Sequence, residues 1–190
     1  MRYELITAGK FNSITLEDAR LHLREPSNIT AEDDLVKSYI RAADASIEFK
    51  TNRIIASSTW KGHLDTFPQS EVIKINRFPV SSISSIQYYD SSNSIQTMSS
   101  SDYIVDTTGK VTRIYLEDTP SIYERTGAII VNFVAGYTNQ QSVDERIKQA
   151  CRILVADYKS NRVDYVVGRT VNKLPRTVDY LINQLKIDVL

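Results

Sequence analysis

One cysteine, one tryptophan, two histidines and six glycines are all that this 190-residue chain holds of the residue types on which compact chemistry is usually built. The lone Cys151 excludes an internal disulfide, leaves a cysteine-ligated zinc site without its ligands, and suits a reducing compartment. The glycines fall into neither a GxGxxG nor a GxxxxGK array, so no loop of the usual kind is present to cradle a phosphate. His22 and His63 come without HExxH, and no serine sits in a GxSxG setting. No run approaches the roughly 18 apolar residues that span a bilayer. The opening MRYELITAGKF is too short and too polar for a secretory signal. A soluble intracellular protein with no metal and no cofactor is expected. An excess of charge is missing too: 23 basic residues balance 23 acidic ones, so any contact with nucleic acid has to be local.

What is present is a 42% apolar composition, enough for a good core without staples. In ITLEDARLHLRE, Thr15 is a plausible N-cap with Asp18 three residues on, and Leu16, Ala19, Leu21 and Leu23 mark a short helix that Pro26 stops. A second helix is expected from Thr30. Glu32, Asp33 and Asp34 in its first turn suit the positive end of the helix dipole, and Leu35, Val36, Tyr39, Ile40, Ala43 and Ile47 form its apolar face. From Ile54 the period changes to two, giving about six short strands in SSTWKGHLD, EVIKI, VSSISSIQYYD, YIVD, VTRIYL and AIIVNFVAGY. The last of these reads as a strand buried on both sides. SSNSIQT (91–97) and EDTPSIYERTG (117–127) read as exposed connections. Helix returns with Val143, Ile147, Cys151, Leu154 and Tyr158 on one stripe. A final helix opens at Pro175 with Val178, Leu181, Ile182 and Leu185.

Helices, then strands, then helices argue for an α+β fold with segregated layers. The expected organisation is an N-terminal helical part (1–53), a β insert (54–137) and a C-terminal helical part (138–190) that completes a bundle of two plus two helices.

Three chemical readings compete over these residues. A metal site at Glu32, Asp33 and Asp34 is disfavoured because consecutive carboxylates on a helix diverge. A hydrolase would need a carboxylate pair, from aspartates such as Asp65, Asp102, Asp106 and Asp118, or the two histidines, to converge in a pocket, and alanine at His22, His63 and Asp102 would test it. A carbohydrate- or peptide-binding module would use Trp60, Tyr88, Tyr89 and Tyr103, although eleven tyrosines in a β-rich chain more commonly serve core and interface. In RFPVSSISSIQYYD (77–90), Phe78, Val80, Ile83, Ile86 and Tyr88 supply apolar anchors, so the four serines read as scaffolding at exposed or bend positions.

The same RFPVSSISSIQYYD, followed by SDYIVD (101–106) and VNFVAGY (131–137), resembles the motif series of the head-tail connector, or portal adaptor, proteins of long-tailed bacteriophages and gene transfer agents. ITLEDARLHLRE, STWKGHLDTFP, DERIKQACRILVADYKSNR and LPRTVDYLIN fall in the order that family shows, so the likeness covers about residues 14 to 185. It implies a non-enzymatic virion protein of the neck, assembled in the host cytoplasm. Such a protein forms a homo-oligomeric ring, dodecameric in the virion, beneath the portal protein. A tail-completion or tail terminator protein attaches below, and DNA passes through without sequence-specific binding or any membrane. The helical part would build the ring wall, and Tyr165, Arg169, Arg176 and Tyr180 would reach towards the portal. The acidic Glu32, Asp33 and Asp34 and the basic late segment, Arg162 included, offer two unlike patches of the kind a head-to-tail ring contact requires.

Overall fold

Elements occur along the chain as β1 (Arg2–Thr7), α1 (Leu16–Leu23), α2 (Asp33–Thr51), β2 (Ser58–Leu64), β3 (Val72–Ile75), β4 (Val80–Tyr89), β5 (Ile95–Thr97), β6 (Tyr103–Asp106), β7 (Thr112–Leu116), β8 (Ile129–Ala135), α3 (Glu145–Ser160) and α4 (Arg176–Leu185). The computed structural model describes residues 1–26, 30–161 and 176–187. Two compact units result: one gathers Met1–Lys10 and Ala56–Tyr137, the other Phe11–Ile55 and Thr138–Lys186. The α+β class with segregated helices and strands is as the sequence implied.

In the strand unit, β8 is the central strand of a five-stranded antiparallel sheet ordered β1-β2-β8-β4-β5, beside a three-stranded sheet ordered β3-β7-β6. Ile129, Val131, Phe133 and Ala135 of β8 are fully buried, whereas Ile130, Asn132 and Val134 are only half-buried. The expectation of burial on both faces is therefore corrected. The second face is lined by polar cross-strand partners, Lys61 and His63 on one side and Ser85 and Gln87 on the other, and Asn132 Nδ2 donates to Ser85 Oγ at 3.0 Å and Gln87 Oε1 at 3.1 Å.

The serines of β4 solve a spacing problem. Val80, Ile83 and Ile86 recur every three residues, which a regular strand with period two would send to alternating faces. Against β8 the register slips between Val80 and Ser82 and again between Ile83 and Ser85, leaving Ser81 and Ser84 as the extra residues of two bulges. Each bulge restores the face, so all three apolar side chains oppose the buried set Ala135, Phe133 and Val131. Small hydroxyl residues tolerate this, and Ser81 Oγ donates to Val134 O at 3.2 Å.

Two strands exceed the six expected. β1 is an edge strand with one half-buried anchor, Tyr3, whose ring meets Phe133 edge-on at 6.1 Å and whose hydroxyl accepts from Asn76 N–H at 2.9 Å. β5 is exposed throughout and lies inside SSNSIQT; Asp90 closes the turn before it by accepting from Ser92 N–H, Ser94 N–H and Gln96 Nε2. Where the two ends of the Ala56–Tyr137 segment meet, Gly136 has φ +112°, and a Cβ there would stand 2.5 Å from the Ala56 carbonyl oxygen.

The helical unit is built on periodicity. A reciprocal capping box, Asp18 N–H to Thr15 Oγ1 at 3.0 Å and Thr15 N–H to Asp18 Oδ2 at 3.2 Å, starts α1, and left-handed Arg24 ends it. α2 begins later than expected: Thr30 O accepts from Asp33 N–H in a preceding turn and Glu32 is the N-cap. Val36, Ile40, Ala43 and Ile47 of α2 are buried with Ile147, Ala150, Cys151, Leu154 and Val155 of α3 and Val178, Ile182 and Leu185 of α4. Tyr39 and Tyr158 are half-buried with ring centroids 6.3 Å apart. Leu35 is not on this face; it points outward. Buried Arg53 donates through Nε to Leu185 O at 2.8 Å, placing a cation on the carbonyl end of α4.

A buried carboxylate joins α2, α3 and the segment just before α1. Asp44 of α2 accepts from Ser13 N–H at 2.9 Å, from Ser13 Oγ and from the Cys151 thiol of α3. Burial pushes the Asp44 carboxyl above the usual aspartate range while these donors pull it back. Burial, reinforced by the Asp44 charge, also pushes the Cys151 thiol well above its ordinary value, so Cys151 is a packed donor rather than a nucleophile.

Two predictions follow from this packing. Gly136→Ala combines an unfavourable φ with a carbonyl collision and lowers unfolding free energy by about 2 kcal/mol or more. In contrast, Gly109→Ala, whose nearest neighbour would be 3.6 Å away, is close to neutral in the same denaturant titration. Asp44→Ala orphans three donors and costs about 2–4 kcal/mol. Because the folded pKa of Asp44 lies above the unfolded value of about 3.9, its contribution is fully present below that value and is lost as pH rises through the folded one. The Tm difference between Asp44→Asn and wild type must therefore move in the variant's favour as pH is raised from about 4 to 7.

Candidate functional site

The acidic start of α2 faces its own chain more than solvent. Arg20 of α1 pairs with Asp33, and Lys159 at the end of α3 pairs with Glu25 and with Glu32, the latter at 2.9 Å. These pairs are largely sheltered, so each holds one helix end against another and gains more than an exposed pair would. Asp34 alone of the triplet turns outward, with Lys37 Nζ at 3.0 Å one helical turn along. Part of the charge asymmetry between the early acidic and late basic segments is thus satisfied within one chain.

α4 presents the other candidate surface. Val178, Ile182 and Leu185 face inward, which leaves Arg176 and Tyr180 on the solvent side, Tyr180 being 66% exposed. The remaining candidates, Arg162, Tyr165 and Arg169, lie outside the described residues.

The residues proposed for chemistry have separate local settings. His22 is exposed on α1 in the helical unit. In the strand unit, His63 on β2 sits 3.0 Å from Glu4 Oε2, and half-buried Asp102 accepts from Ser101 Oγ at 2.9 Å in a turn. Among the described residues no three His, Cys, Asp or Glu side chains are grouped as metal ligands, and no helix is long and apolar enough to cross a membrane.

The aromatic candidates are engaged by their own chain. Trp60 Nε1 donates to Ser58 Oγ at 2.8 Å, with the Arg77 guanidinium 5.6 Å from its ring centroid. Tyr88 packs on Phe67, and Arg125 stacks 3.9 Å over Tyr89. Tyr103 is on β6 of the other sheet, opposite Leu116.

One surface escaped the sequence reading. Leu35, Ser38, Ala42, Ala45 and Phe49 lie along the outward side of α2, and Phe49 is 85% exposed. The signal was there as a second apolar spacing of three and four, masked because Leu35 also fitted the buried series.

No curated protein matches the chain in sequence. Its fold is similar to that of a chain in the neck of an empty GTA particle computed with C6 symmetry, at TM-score 0.81 and 22% identity over 100% of this chain and 98% of that one. It is likewise similar to a chain in the virion of a native gene transfer agent (GTA) particle, at TM-score 0.81 and 23% identity over the same shares. A third similar chain, from the neck of a native GTA particle computed with C12 symmetry, gives TM-score 0.77 and 21% identity, again over 100% and 98%. At these identities the likeness is one of fold. Sequence similarity is more specific: residues 13–114 match the family of phage gp6-like head-tail connector proteins, a span that runs from Ser13 through α1, α2 and β2 to β6 into β7. The chain belongs to that family of structural head-tail connectors.

Proposed function

We propose that this protein forms a closed ring in the virion neck, beneath the portal, through which DNA passes and to which a tail-completion or terminator protein attaches. The observation that carries the reading is the family match over residues 13–114 joined to a full-length fold shared with neck chains of rotationally symmetric particles. A rotational ring uses two different patches per copy, and the helical unit offers unlike surfaces for them on α1, α2 and α4. Asp34 is the member of the acidic triplet best placed to meet a neighbouring copy. Arg176 and the exposed Tyr180 on α4 form the described part of the portal-facing surface, Tyr and Arg being the residue types that most often dominate interface energetics.

Net neutrality suits a conduit. A strongly basic bore would release counterions from DNA and hold its phosphates, whereas 23 positive and 23 negative side chains give no such net grip. The protein works through shape and contact, with no bond-making step.

Purified full-length protein is expected to give ring-sized particles by light scattering and electron microscopy, alone at high concentration or on isolated portal. Arg176→Ala with Tyr180→Ala weakens portal binding by about tenfold or more, read by surface plasmon resonance, without shifting Tm, because neither side chain is in the core. A chain that stays monomeric and ignores portal under all these conditions overturns the ring reading. Unchanged portal affinity in the double variant removes α4 from the contact.

A further inference from the structure

Resting on the ring reading, we infer that the outward seam of α2 is one half of the contact between ring neighbours and that a groove on α1 of the adjacent copy is the other. In this contact Phe49 seats against Leu16 and Leu21, and Lys50 stands opposite Glu17.

The seam residues Leu35, Ser38, Ala42, Ala45 and Phe49 repeat with the alternating three-and-four spacing of a helix that packs on another body. At about 100° per residue they span an arc of roughly 80°, almost diametrically opposed to the buried Val36, Ile40, Ala43 and Ile47. The core therefore makes no use of them. Small side chains at Ser38, Ala42 and Ala45 permit close approach, and Phe49 projects at the end of the row. A phenyl ring left 85% exposed is a large apolar group with no role in its own fold.

The groove on α1 measures about 470 Å³ and is lined by Leu16, Glu17, Arg20, Leu21 and Glu25. Leu21 within it is 78% exposed. Charge complements the shapes: Arg41 and Lys50 flank the seam, Glu17 rims the groove, and none of the three has an ion-pair partner among the described residues.

Position on the unit supports a copy of this chain as the occupant. A closed ring of many copies needs its two contact walls nearly opposite one another. Asp33 and Asp44 hold the α1 side through Arg20 and Ser13, and they lie about 150° around α2 from the midline of the seam. Projection and groove thus occupy opposing walls of the same helical unit, as head-to-tail neighbours require.

The experiment uses the full chain with Phe49→Cys and Leu21→Cys together; buried Cys151 stays in place. Under conditions where wild type forms rings, a short bismaleimide should convert the double variant into a ladder of covalent multimers, whereas each single variant stops short of a ladder. Phe49→Asp should lower the ring fraction at least tenfold with an unchanged thermal midpoint. Lys50→Glu should weaken rings, and the added Glu17→Lys should restore them. Rings that persist in Phe49→Asp, or that form without a ladder in the double variant, overturn this interface and leave the ring reading standing. Rings that persist while portal or tail-terminator binding is lost assign the seam to that partner instead. Wild-type protein that never forms rings overturns both.

Discussion

Asp44 holds the most consequential position in the helical unit, because a carboxylate removed from water must have its donors or the unit loses far more than one hydrogen bond. Its donors come from Ser13, just before α1, and from Cys151 in the middle of α3. α1 itself is only eight residues long, below the length at which an isolated helix is stable, and it buries little beyond Ala19. What fixes α1 is therefore polar: the Thr15–Asp18 box at its start, Ser13 on Asp44, and Arg20 on Asp33 near its end. A helix held by direction-dependent contacts at both ends keeps its outer face in a defined place. That is what an assembly surface needs, and non-directional apolar burial alone would supply it less well.

The strand unit meets its own constraint through register. β8 pairs with β2 on one side without a break, but on the other side β4 carries apolar residues at spacing three, which matches no uniform strand. Two bulges reconcile the sequence with the sheet, and their cost is moderated by placing serine, small and able to bond to the backbone, at each extra position. Two of the four serines, Ser81 and Ser84, are the means by which Val80, Ile83 and Ile86 reach one face of the sheet.

The legible parts of the sequence were those where a single period ran unopposed. Ile147, Cys151 and Leu154 of the α3 stripe and Val178, Ile182 and Leu185 of the α4 set are buried as their spacing implied, whereas Tyr158 and Leu181 of the same sets are half-buried. β1 was not legible because it contributes one anchor, Tyr3, and its other residues face solvent, so no alternation rises above its polar surroundings. β5 was hidden for the same reason, its three residues all being exposed and its pairing set by the Asp90 turn. Leu35 misled by belonging to two series at once. Charges were the hardest to read. Glu32 and Asp33 look in sequence like an exposed acidic patch, yet whether such groups meet solvent, a partner or their own chain depends on Lys159 and Arg20, which are brought to them only by the packing of α3 and α1.

That internal pairing changes what kind of surface the helical unit presents. Had the acidic triplet and the basic end of α3 remained apart, neighbouring copies would attract one another chiefly through exposed charge, an attraction that salt weakens within a Debye length of about 8 Å. With Glu25, Glu32 and Asp33 neutralised inside the chain, the largest unsatisfied features left on the helices are apolar ones, Phe49 and Leu21, with single charges beside them. Apolar burial is little affected by moderate salt and is proportional to the area removed from water. A few rim charges then set which surfaces may meet without governing how strongly they hold. For a protein whose family joins the head of a particle to its tail, such a surface favours contacts that stay closed as ionic strength changes.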